Sequence, residues 1–208
     1  MGKVITVAQQ KGGSGKTTLA ANLAVAFARA GLSVALLDTD PQGSLGRWFM
    51  ARRERGAPGM EFSTASAWGV SYECEKLKKL VDVVIVDTPP KVDADLRPAL
   101  READLVLVPV ASSHVDLWAT EGVIDLARRE HKTVAIVMNR ARTGTRLATE
   151  VAEAAAALEG RVLDTVWSFR VAYAEALGLG RGVQELGRSP AADEVQRLAD
   201  EVLAALAP

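Results

Sequence analysis

One cysteine and two histidines are the only thiol and imidazole groups in this 208-residue chain. Cys74 alone excludes a disulfide within the chain and fits a reducing compartment. His114 and His131 are too far apart for a metal-ligand spacing and are expected at the surface. Long apolar runs are also missing, and none approaches the roughly 20 residues needed to span a bilayer. The N-terminus runs straight into a strand pattern without a leader, so the chain reads as cytoplasmic. Excess charge of one sign is lacking: 25 Lys and Arg face 26 Asp and Glu. Any nucleic-acid contact must therefore come from a local patch. Aromatics make up only 5% of the chain. Trp48, Trp68, Trp118 and Trp167 are expected as packing or interface residues, not as stacking platforms.

What remains is an ordinary globular composition, 49% hydrophobic and 25% charged. Its length suits one domain over 1–208 with a sizeable core. Apolar β-rich runs at 4–8, 34–37, 83–86, 105–108, 134–138 and 162–166 alternate with helical periodicity. Helices are expected over 16–30, 94–102, 115–130, 145–158, 171–178 and 190–206. Near-continuous Val/Ile/Leu strands, rather than alternating ones, indicate a parallel sheet covered on both faces. The fold class is α/β, a doubly wound and mostly parallel sheet with helices on both sides. Residues 47–80 are the least regular stretch, with a short strand expected near Phe62. No internal repeat, low-complexity tract or linker is evident.

The most informative residues are Lys11, Gly12, Gly13, Ser14, Gly15, Lys16, Thr17 and Thr18, between the first strand and the first helix. A glycine-rich turn there leaves backbone N–H groups facing inward, a nest for phosphate oxygens at a positive helix end. Lys16 is placed to reach the β/γ-phosphates and the Thr17 hydroxyl to ligate Mg²⁺. The cofactors implied are ATP and Mg²⁺. Carboxylates end two further strands: Asp38 and Asp40 in Asp38-Thr39-Asp40-Pro41-Gln42, and Asp87 in Asp87-Thr88-Pro89-Pro90. Ligands of such sheets bind at these C-terminal strand ends. An acidic residue after a buried strand is costly unless it meets a cation. Asp87, with Thr17, is the candidate metal residue. The strict phosphate-loop pattern fails at position 10, where Gln replaces the first Gly.

The second lysine, Lys11, accounts for that departure, because the loop resembles the deviant phosphate loop of the ParA/MinD ATPases. The resemblance runs from Lys3 to the C-terminal helix and is strongest at 9–18, 36–42 and 83–90. It is most like the small ParF-like ParA subgroup, and no N-terminal DNA-binding module is expected. The resemblance implies that Asp87 is the Walker B aspartate, that Asp38 supports the metal's water shell and that Asp40 positions the attacking water. It further implies that Lys11 crosses a nucleotide-sandwich dimer to the partner's phosphates, as an arginine finger does. Asn139 matches the residue that reads the adenine edge, and Val108-Pro109-Val110 is expected to line the base pocket. The catalytic set is then Lys11, Lys16 and Asp40.

Three relatives of similar fold fit less well. The nitrogenase iron protein needs cluster-bridging cysteines. MinD carries a basic amphipathic terminal helix for membrane, whereas 192–203 here is net acidic, so no stable membrane anchor is expected. A ligase of the dethiobiotin synthetase kind lacks the Lys11 type of loop. The function implied is an ATP-dependent homodimer, with higher-order assembly open, that binds DNA non-specifically at the nucleoid. It would segregate a plasmid or chromosome, or position a cargo, under a ParB-like or cargo-linked stimulator of hydrolysis. A MinD-like membrane regulator and a metabolic ATP-dependent enzyme are the alternatives. Arginines recur in the C-terminal half, and Arg140, Arg142, Arg170 and Arg188 are the candidate DNA contacts.

Overall fold

The computed structural model describes residues 1–57, 59–90, 96–142 and 144–206, apart from the side chain of His114. The elements follow one another as β1 (Lys3–Val7), α1 (Lys16–Arg29), β2 (Val34–Asp38), α2 (Ser44–Glu54), β3 (Glu61–Thr64) and α3 (Gly69–Leu77). They continue as β4 (Val83–Asp87), α4 (Leu96–Glu102), β5 (Leu105–Ala111), α5 (His114–Arg129), β6 (Thr133–Asn139) and α6 (Arg146–Ala156). β7 (Arg161–Val162), α7 (Val171–Gly178), a 3₁₀ turn at Val183–Glu185 and α8 (Pro190–Leu206) complete them. All strand pairs are parallel, in the order β3-β2-β4-β1-β5-β6-β7.

Although β1, β2, β4, β5 and β6 are almost continuously apolar, the period of two still divides their side chains between two cores. Ile5, Val7, Leu36, Ile85, Leu107 and Val137 pack with α1, α2, α7 and α8. Their neighbours Val106, Val108, Ile136 and Met138 pack with α4, α5 and α6, and Val4, Leu37, Val84 and Val86 with α3. Burial on both faces is why the runs lack polar alternation. Cys74 belongs to the α3 core, where burial pushes its thiol up to about 12, so it acts as a small hydrophobe. Trp48 and Trp167 are buried in the first core, whereas Trp68 and Trp118 are exposed. His131 is exposed as expected, and the His114 side chain lies outside the described residues.

Two expectations are corrected. The stretch 47–80 holds most of α2 and all of α3 besides β3. α2 interleaves Leu45, Trp48, Phe49 and Met50 with Arg47, Arg52 and Arg53. Tertiary contacts hold it. Trp48 Nε1 donates to the Arg181 carbonyl, and buried Arg52 forms a forked pair with Glu185 at 2.8 and 3.0 Å. The strand expected over 162–166 stops at Val162, because Asp164 N and the Thr165 hydroxyl donate to Glu201 of α8 and divert the chain. The helix expected from 94 begins at Leu96, and residues 94 and 95 lie outside the described residues.

The Arg52 guanidinium is 3% exposed, so removing its carboxylate leaves a buried unpaired charge. Glu185→Ala is expected to destabilise the fold by ~3–5 kcal/mol in urea unfolding. A loss below about 1 kcal/mol would show that solvent reaches Arg52 once Glu185 is gone.

Candidate nucleotide-binding site

The sheet order leaves β1 flanked by β4 and β5, and the loops after β1, β2 and β4 meet above their C-terminal ends. Between β1 and α1 the backbone turns through left-handed conformations at Gly13 (φ 77°) and Gly15 (φ 91°), which favour glycine. Gly12 and Gly13 are exposed, while Ser14 is buried with a partnerless hydroxyl. Lys16 opens α1, and its buried ammonium donates to the Gln9 carbonyl at 3.0 Å. Burial lowers its pKa, opposed by the charges of Asp87 and Asp40.

Asp87 is fully buried at the end of β4. Its Oδ2 accepts from the Thr17 hydroxyl at 2.7 Å, and its Oδ1 has no partner among the described residues. Burial pushes this carboxyl up to about 7, with the Thr17 bond opposing and the Asp38 charge adding. An orphaned carboxylate oxygen beside a threonine hydroxyl fits a hard divalent cation. Among the described residues no group of three or more His, Cys, Asp or Glu is placed to hold a metal alone. Phosphate oxygens and water would complete the shell of such a cation, as Mg²⁺ prefers. Asp38 is buried, and its carboxylate accepts from the N–H groups of Asp40 (3.1 Å) and Gly46 (2.9 Å). Burial raises its pKa against those bonds. Asp40 is half-buried and closes a turn by accepting from Gln42 N.

Lys11 is held within its own chain: its Nζ lies 2.5 Å from Oδ2 of Asp116, a buried residue in the first turn of α5. The sequence pattern did not single out Asp116, or Gln9 before it. The Gln9 amide donates to the Pro109 carbonyl and to Thr120 Oγ1, whose hydroxyl donates in turn to the Asp116 carbonyl. Gln9 thus ties the Lys16 anchor to β5 and α5. A buried polar residue next to a glycine-rich loop was the available signal.

Beside the loop lies a cavity of about 320 Å³, lined by Gly15, Thr18, Asn139, Arg140 and the segment Trp167–Val171, with Tyr173, Ala174 and Leu177. Asn139, the expected reader of the adenine edge, lies next to the loop with both ends of its amide engaged: Nδ2 donates to the Ser14 carbonyl and Oδ1 accepts from Arg140 N. Val108-Pro109-Val110 does not line this cavity. It is buried inside β5 and paired with β6. Within one chain, three of the four candidate DNA arginines lie together around Phe169 and the cavity, and Arg188 lies apart. Arg140 and Arg170 line the cavity, and both Arg140 and Arg142 stack on Phe169. Arg170 is paired with buried Glu194 at 2.8 Å, and Arg188 lies in a separate hollow beside Arg29.

Residues 5–183 match the family described as the CobQ/CobB/MinD/ParA nucleotide binding domain. The chain belongs to this family. It is 30% identical over 211 residues to the maintenance of carboxysome distribution protein A of Halothiobacillus neapolitanus, covering 96% of this chain and 95% of that protein. It is 31% identical over 239 residues to the chromosome-partitioning ATPase Soj of Thermus thermophilus, with the same two coverages of 96% and 95%. Among solved structures, MinD of Pyrococcus horikoshii complexed with Mg-ADP superposes with a TM-score of 0.80 at 19% identity, covering 98% of each chain. Apo McdA of Cyanthece also gives 0.80, at 16% identity, covering 98% of this chain and all of that one. The α/β architecture is therefore that of the ParA/MinD ATPases.

Asp87 sets a pH test. Its carboxyl binds a proton up to about 7 in the fold, against an ordinary value of 3.8. The folded state thus holds the proton more tightly, and this group's stability contribution is lost as pH rises from about 4 to about 7. Asp87→Asn is expected to flatten that window and to raise the melting temperature of the metal-free protein near neutral pH. The same change should remove the added stabilisation by Mg²⁺ with ADP. Parallel melting profiles for both proteins over pH 4–7 would mean that Asp87 stays ionised.

Proposed function

We propose that this chain is an ATP-driven dimerisation switch. It binds ATP and Mg²⁺ at the phosphate loop, pairs with a second copy across two nucleotides, and binds DNA non-specifically as that dimer. The convergence of Lys16, Thr17 and orphaned Asp87 above one parallel sheet, with Lys11 outside the loop's own pocket, carries this reading. The carboxysome-distribution and chromosome-partitioning relatives support a role in segregating DNA or positioning a large cytoplasmic cargo over the nucleoid. A ParB-like or cargo-linked partner would stimulate hydrolysis. The apolar face of α8, with Val195, Leu198 and Val202, packs in the core and is not free for a membrane surface.

Each side chain has a distinct task. Lys16 leaves the Gln9 carbonyl for the β/γ-phosphates as a point charge. Thr17 and Asp87 hold Mg²⁺, which when bound neutralises charge on the transferring phosphoryl group. Asp38 is fixed by two N–H donors beside them, and half-buried Asp40 is the candidate to orient the attacking water. Thr18 and Asn139 border the cavity that would take the base. Lys11 must exchange Asp116 for a phosphate to act across a dimer.

Three variants separate these tasks. Lys16→Ala is expected to lose ATP binding. Asp40→Ala should keep binding, lose turnover by about 100-fold or more and accumulate an ATP dimer, because only a transition-state contribution is removed. Lys11→Ala should weaken ATP-dependent dimerisation, measured by light scattering, more than ADP affinity. A full ATP dimer with normal hydrolysis in Lys11→Ala would falsify the cross-subunit role.

DNA binding is tested on unrelated duplexes with ATP and with ADP across a salt series. Among the described residues, Arg142 and Arg188 have no carboxylate partner. Their double alanine variant is expected to lower both affinity and salt slope, since each phosphate contact releases counterions. Binding that ignores nucleotide or salt would rule out the switch.

A further inference from the structure

Two consecutive residues at the end of β6 grip two consecutive carbonyls of the phosphate loop. Asn139 Nδ2 donates to the Ser14 carbonyl at 2.7 Å, and Arg140 Nη1 donates to the Gly13 carbonyl at 2.6 Å. A trans peptide is planar, with its C=O and N–H pointing in opposite directions. Pulling the Gly13 carbonyl toward β6 therefore turns the Ser14 N–H away from it, and pulling the Ser14 carbonyl does the same to the Gly15 N–H. Neither N–H has an acceptor among the described residues. Two neighbouring peptides thus present their donors to the same side, an arrangement that suits an anion.

The surrounding geometry serves this grip. Asn139 is 4% exposed, and its amide orientation is fixed because Oδ1 accepts from Arg140 N. Arg140 takes a left-handed conformation (φ 52°), uncommon for a side chain with a Cβ. Its guanidinium also stacks 5.4 Å from the centre of the Phe169 ring. A Cβ on Gly15 would lie 2.5 Å from Asn139 Nδ2, so glycine is required there for close approach as well as for its positive φ.

We propose that Asn139 and Arg140 are positioning residues that act on phosphate binding from outside the loop, by holding two carbonyls so that the Ser14 and Gly15 N–H groups face the phosphates. This rests on the phosphate-site reading above. It gives Asn139 a task other than reading the base, and Arg140 a task other than touching DNA.

Calorimetry with ADP and with inorganic pyrophosphate, which has no base, tests the brace. Asn139→Leu removes the amide donor at similar volume and unchanged charge, and Arg140→Met removes the guanidinium. Each is expected to weaken pyrophosphate and ADP by the same factor, about tenfold, the scale of one lost charge-assisted or buried hydrogen bond. The preference for ATP over GTP should stay unchanged. The Arg140→Met deficit should persist at high salt, where attraction by a merely nearby charge is screened, and Arg140→Lys should recover part of it. Arg140 is exposed, so its variants keep the test available if Asn139→Leu does not fold. Unchanged pyrophosphate affinity in the variants, or a deficit abolished by salt, overturns the brace while leaving the phosphate site intact. Failure of the unmodified protein to bind either ligand overturns the phosphate site and the brace with it.

Discussion

Two opposite charges, the Lys16 ammonium and the Asp87 carboxylate, lie buried at the crest of an all-parallel sheet. Desolvation acts against both: it lowers the lysine's pKa and pushes the carboxyl up to about 7. Among the described residues, neither meets an opposite charge at contact distance. Lys16 relies on a backbone carbonyl, and Asp87 on one threonine hydroxyl with an oxygen left over. On the proposed reading, a magnesium–phosphate group would supply an anion to one and a cation to the other.

The parallel architecture makes this centre possible. Strands covered by helices on both faces need no polar alternation, so their apolar runs extend to the last residue before the crest. There Asp38 and Asp87, aligned in register on neighbouring strands, end β2 and β4 together. The helices on one face are then fastened by polar ties: Arg52 to Glu185 between α2 and the 3₁₀ turn, and Glu194 to Ser168, Arg170 and Tyr173 beneath the cavity. Burial raises the Glu194 carboxyl, but these bonds outweigh it and hold it below its ordinary range. The wall of the cavity is thereby tied to the terminal helix, not left as a free loop.

Lys11 and Lys16 differ in how far they are committed. Lys16 is buried and serves its own loop, whereas Lys11 is partly exposed and paired with a buried aspartate across the α5 turn. The Gln9 side chain connects the two arrangements through Pro109 and Thr120. Both arrangements thus meet at the start of α5, where Val115 and Trp118 face solvent.

The residues alone determined the fold class and the course of the glycine loop, because both rest on local rules. Strand–glycine turn–helix spacing fixes Gly13, Gly15, Lys16 and Thr17, and Asp38 and Asp87 announce themselves as acids ending apolar runs. The helices within 47–80, the early end of β7, the engaged amide of Asn139 and the pairing of Arg170 were not legible. Each depends on a partner far along the chain: Glu185 for Arg52, Glu201 for Asp164, Ser14 for Asn139 and Glu194 for Arg170. Sequence spacing fixes which groups a helix or strand presents. Which distant donor meets which acceptor is decided only when the layers pack.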